Sequence, residues 1–139
     1  MTSLTLEQAE AVLAAAKEKA ADIGVPMNIA VVDAGNNLTA FARQDGAWLG
    51  SIAIAQDKAF TARAFDSATH ELYEKTQPGG SLYGIGVSND GRVITFPGGI
   101  PLTNDDDIVG AIGVSGGEVE QDQQVAEAGA KALAATAAA

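Results

Sequence analysis

Leu6, Ala9, Leu13, Ala16, Ala20 and Ile23 recur at the three- and four-residue spacing of a helix that packs along one side. Thr5 before them and Gln8 three positions on have the form of a capping box, and Gly24 ends the run. Pro26 then breaks the period. Two β-type runs follow, NIAVVD and LTAFARQ, and the AGNN between them predicts a hairpin with its tight turn at Gly35–Asn37.

From Ser51 the run SIAIAQDKAFTARAF is helical in composition but has little polar face. Such a helix either lies between the sheet and another layer or meets a second subunit. A further short helix, capped by Ser67 or Thr69 and running through Tyr73–Lys75, ends before Pro78-Gly79-Gly80. SLYGIGVS then leads into a turn at Asn89–Gly91, and three short strands are expected at Arg92–Phe96, Ile100–Thr103 and Ile108–Val114. A last helix is expected from about Glu118 to Leu133, with an alanine tail that frays. The sum is one domain over residues 1–139, of α/β (α+β) class, with helices packed on a mainly antiparallel sheet of about five strands.

A chain of 139 residues can bury a core without staples, and the absence of cysteine removes disulfides, thiolate nucleophiles and cysteine metal sites together. No run reaches the roughly 18 apolar residues of a membrane span, and the start MTSLTLEQAE has neither basic flank nor apolar core. A cytoplasmic protein is therefore expected. The net charge of −10 is uneven: residues 1–65 carry 5 basic and 7 acidic side chains, and residues 66–139 carry 3 and 11. With no clustered basic face, nucleic acid and anionic membrane are excluded as expected partners. Charged residues make up 19%, against a usual figure of about 25%, which points to a homo-oligomer that covers part of its surface.

The candidate chemistry centres on FPGGIPL, Phe96–Leu102. Gly98 and Gly99 between apolar residues and two prolines allow positive φ and leave amides without side-chain cover, so that a flat ligand can approach the backbone. Phe96, Gly98, Gly99 and Pro101 are the expected wall of a small-molecule site; a strand turn or bulge held by Pro97 and Pro101 is the plainer alternative. Asp122 shares a helical stripe with Val125, Ala126, Gly129 and Leu133, so a carboxylate faces the packed side. It must accept backbone hydrogen bonds, pair with a cation or work in a site. Lys58 and Arg43 are the cations suited to such a carboxylate or to an anionic ligand, although Lys58 can snorkel to solvent and Arg43 can meet Asp45. His70 is the single histidine, so any imidazole general base or axial ligand from this chain is His70; a solvated helix residue is its plain alternative.

Other motifs carry less. GAIGVSGG ahead of a helix lacks the dinucleotide spacing, and three acidic residues already occupy the first turns. GVSGG matches G-x-S-x-G around Ser115, but the chain is too short for the hydrolase fold that uses it. Asp105–Asp107 lack calcium-loop spacing, so no metal site is expected.

Taken together, NIAVVDAGNNLTAFARQDGA, AIAQDKAFTA, FPGGIPL and GAIGVSGGEVEQDQQVAEAG resemble, in that order, the haem-binding HbpS/GlcG family, which also occurs as the C-terminal domain of PduO-type proteins. The likeness covers about residues 5–133. It implies a sheet with helices on both sides, profilin- or PAS-like, and assembly into oligomers. It also implies haem or another tetrapyrrole as ligand, with the axial ligand drawn from His70, Tyr73, Tyr83, Met27, a hydroxyl such as Thr103, or a neighbouring subunit. The functional expectation is thus a small-ligand-binding protein in which FPGGIPL forms a wall and Lys58 and Arg43 meet the ligand's anions. The rival is a small cofactor-independent enzyme in which Asp122 or His70 moves a proton on a carboxylated substrate.

Overall fold

The computed structural model describes residues 3–138, with side chains described through residue 135. Helix α1 (Leu6–Ile23) starts at the Thr5 capping box, both halves of which form, and ends at Gly24 in the left-handed conformation. The hairpin of β1 (Asn28–Asp33) and β2 (Leu38–Arg43) follows, then α2 (Ser51–Phe65) and the single turn α3 (Thr69–Leu72). After a stretch of 3₁₀ turns come β3 (Gly99–Asn104), β4 (Asp107–Ser115) and α4 (Val119–Ala138). The predicted fray of the alanine tail falls largely on residues 136–139, outside the described side chains.

Among the described residues the sheet has four strands in the order β2-β1-β4-β3, all antiparallel, in place of the expected five or so. The missing strand is Arg92–Phe96. Its backbone is held by a helix side chain: Thr61 Oγ1 accepts from Ile94 N–H at 3.0 Å, and its one proton lies between the Asp57 carbonyl at 2.7 Å and the Arg92 carbonyl at 3.2 Å. The segment therefore crosses α2, where Val93 is buried, and joins no ladder. The short helix also stops sooner than its pattern suggests, passing into a 3₁₀ turn at Glu74–Thr76.

Helices cover both faces of the sheet. On one, α1 and α4 bury Val12, Ala16, Val125 and Leu133 against Ile29, Val31, Ile112 and Val114. On the other, α2 lays Ala55, Ala59 and Ala62 on Ala30, Val32 and Ala111. The second interface is built of small side chains because the backbones approach closely. A Cβ on Gly113 would run into the Ala55 carbonyl and the Ala59 amide, so glycine is what lets α2 sit on β4. This close approach explains the poor amphipathicity of α2: alanine suffices where backbones nearly touch. No helix among the described residues is long and apolar enough to cross a membrane.

Candidate functional site

FPGGIPL enters β3 from the crossing segment and lies over the middle of α2. Gly98 has φ +127°, and a Cβ there would stand 2.6 Å from both Lys58 Nζ and the Val114 carbonyl oxygen. At Gly99 a Cβ would stand 2.6 Å from the Lys58 carbonyl oxygen and 2.7 Å from Thr69 Cγ2. Both glycines are thus demanded by packing against α2 and α3. The sequence suggested amides without side-chain cover; instead Gly98 N–H donates to Gln123 Oε1 at 3.1 Å and Gly99 N–H to Thr69 Oγ1 at 2.9 Å.

Directly beneath the turn, Lys58 meets Asp122. Nζ lies 2.9 Å from Asp122 Oδ2 and 2.8 Å from the Val114 carbonyl oxygen, with side-chain exposures of 0% for Lys58 and 3% for Asp122. The other carboxylate oxygen, Oδ1, accepts from Gly117 N–H at 2.9 Å. The ring of Phe96 caps the ammonium with its centroid 4.9 Å from Nζ. Lys58 therefore does not snorkel to solvent. Burial lowers its pKa and raises that of Asp122, while their mutual attraction opposes both shifts.

The turn also separates two clefts. One, of about 530 Å³, lies between α3, β3 and α4; Ile100, Pro101, Ile108 and Ala130 form its apolar lining, with Thr103, Gln123 and Lys131 among its polar groups. The other, of about 700 Å³, is bordered by Phe96, Pro97, Tyr73, Lys75, Val119 and Glu120. His70 borders both. It is exposed on α3, and its imidazole makes no hydrogen bond or ion pair among the described residues.

Of the residues singled out from sequence, Lys58, Asp122, Phe96, Gly98, Gly99 and Pro101 come together around the turn, with His70 across the clefts. Arg43 does not join them. It ends β2, the sheet edge opposite β3, and its Nε and Nη2 donate to the Ala47 carbonyl oxygen at 3.1 and 2.8 Å. Met27 is wholly buried in the α1–α4 core and is out of reach as an axial ligand. Ser115 is buried with its hydroxyl 3.0 Å from that of Ser51, far from the surroundings of a nucleophile. No group of three His, Cys, Asp or Glu among the described residues is disposed to hold a metal ion.

Gln123 and Lys131 were not singled out from the sequence. Thr69 showed there only as a possible helix cap. Gln123 sits one residue after Asp122 and Lys131 lies two turns further along α4, so the helical period that puts Asp122 on the packed stripe is the signal that places them beside it.

Residues 4–131 match the family model described as haem degrading protein HbpS-like. A 15.0 kDa protein encoded in the dhaT-dhaS intergenic region of Citrobacter freundii is 41% identical over 127 residues, which cover 91% of this chain and 89% of that protein. Corrinoid adenosyltransferase PduO of the same organism is 40% identical over 131 residues, 94% of this chain; the chain spans 39% of PduO's length. The crystal structure of a PduOC:heme complex superposes with a TM-score of 0.90 at 39% identity, covering 94% of each chain. By these matches, and in keeping with the motifs around FPGGIPL and Asp122, the chain belongs to the HbpS-like family.

Proposed function

We propose that this protein binds haem or a related flat tetrapyrrole in the cleft between α3, β3 and α4, with FPGGIPL as one wall. The observation that carries the reading is His70, an exposed imidazole with no partner among the described residues, beside a cleft walled by three secondary-structure elements. Most of the cleft's exposed surface is apolar, which suits a flat hydrophobic ligand, while eight of its thirteen lining residues are polar or charged; regular elements hold such a site more firmly than loops do.

The residues present fit the body and iron of a tetrapyrrole. Ile100, Pro101, Ile108 and Ala130 offer apolar contact, His70 a nitrogen and Thr103 a hydroxyl to the metal. Lys131 is the cation suited to a ligand carboxylate. Of the acidic residues at the cleft, Asp66 is already paired with Arg63, which leaves Glu71 and Glu127 to be offset. Bound iron would supply redox and oxygen chemistry; the chain's own part is to hold the macrocycle and exclude water from one face. The haem-bound PduOC structure, 39% identical, supports the same ligand class.

Lys58 and Arg43 drop out as direct anion partners in this reading, the first sealed behind Phe96 and the second at the far sheet edge. The acid–base enzyme reading has less support. Asp122 is 2% exposed and both its oxygens are engaged, which leaves no room for a substrate proton. Self-association belongs to the proposal as well: Trp48 and Leu49 stand 70% and 72% exposed in the loop before α2, and Tyr83 and Val87 are likewise exposed in the segment before β3.

Haem titration of the purified protein tests the reading. A Soret band saturating at a defined stoichiometry is expected, and a flat titration under both reducing and oxidising conditions would sink it.

A further inference from the structure

We propose that Lys58 and Asp122 are positioning residues: their buried ion pair sets the FPGGIPL turn against the start of α4, and through it the walls of both clefts. The inference deepens the ligand-binding reading above and rests on it for its functional meaning.

Four parts of the chain converge on this one pair. Lys58 comes from the middle of α2, Asp122 from the first turn of α4, the Val114 carbonyl from β4, and Gly117 N–H from the loop between β4 and α4. The turn rests on the ammonium itself, since even a methyl group at Gly98 would collide with Nζ. Phe96 lies over the same nitrogen, and Val114 N–H donates to the Gly98 carbonyl at 2.9 Å, which ties the turn back to the strand that Lys58 holds.

Every wall residue of interest hangs from this point. Phe96 and Pro97 border the larger cleft, Ile100 and Pro101 the smaller, and all four flank the two glycines. Gln123, which fixes the Gly98 amide and lines the smaller cleft, is the residue next to Asp122. A shift of Asp122 therefore moves Gln123, Gly98 and the cleft together.

An ion pair this deep is a poor source of net stability, because desolvation of two charges offsets their attraction and apolar residues of like volume do as well or better. Directional bonds are what an apolar replacement cannot supply. Lys58 makes two and Asp122 two, their mutual bond being shared, and together they fix position where packing alone permits sliding.

The double variant Lys58→Met/Asp122→Leu separates geometry from stability. We expect it to fold with an unreduced melting temperature. In the ligand-free protein, amide hydrogen exchange at Gly98 and Gly99 should quicken by about tenfold or more, since local opening of the turn costs less. Neither amide bonds to Lys58 or Asp122 directly, so a merely local role would quicken Gly117 alone. Haem titration of the same variant should show weaker binding, by about tenfold, and a displaced Soret band. Unchanged exchange at Gly98 and Gly99 overturns the proposal. Should the double variant not fold, Asp122→Asn, measured below its own melting transition, gives the same readout with the same overturning result. If the wild type itself shows no Soret band, the haem reading fails, and the exchange measurement still decides whether the pair positions the turn.

Discussion

Lys58 and Asp122 stand 64 positions apart in the chain, yet their charged atoms meet at 2.9 Å beneath Gly98, almost wholly out of water. A pair in that setting is costly to break, because removing one charge strands the other.

Asp122→Asn should therefore lose about 3–5 kcal/mol of stability, the usual cost of leaving a buried charge unpaired. Chemical denaturation measures it. A loss below about 1 kcal/mol would mean that Lys58 finds another partner or water, as exposed pairs do.

Gly99→Ala and Gly113→Ala should each destabilise by about 1–3 kcal/mol or more, as overpacking does when the obstacle is backbone. At Gly99 the obstacle is the Lys58 carbonyl, and at Gly113 the Ala55 carbonyl, so neither can swing aside as a long side chain would. Thermal melts of the two variants measure the loss. Gly113→Ala tests the α2–sheet contact, and Gly99→Ala tests the seating of the turn.

His70→Ala should abolish or displace the Soret band while changing stability by less than about 0.5 kcal/mol, since the residue is exposed and has no partner among the described residues. Thr103→Val, at the same cleft, separates a hydroxyl ligand from an imidazole one. A full Soret band in His70→Ala and its loss in Thr103→Val would transfer the iron contact to the strand.

Trp48→Ser/Leu49→Ser should shift the light-scattering mass toward the monomer if these side chains cover a subunit contact, because large exposed apolar groups are the part of a surface that association buries. An unchanged mass would remove this loop from any interface.

Local signals carried much of the fold. The Thr5 capping box, the Gly24 stop, the β1–β2 hairpin and the long helix α2 are each written within a few residues of one another, because caps, turns and helical periods are short-range physics. Arg92–Phe96 misled for the same reason. Its local pattern suits a strand, but a strand exists only when another strand offers its ladder, and here Thr61 of α2 takes the backbone bonds instead.

The candidate site divides in the same way. By itself the sequence determined that Asp122 lies on the packed stripe of its helix and that any imidazole must be His70, since each follows from period or residue type; the open amides expected at Gly98 and Gly99 are instead bonded to Gln123 and Thr69. Only the tertiary structure decided that Lys58 turns inward to Asp122, that Arg43 closes a loop at the far edge, and that His70 faces two clefts. Those outcomes depend on which elements become neighbours, and contacts across 64 positions are settled by how helices stack on a sheet, which no local pattern encodes.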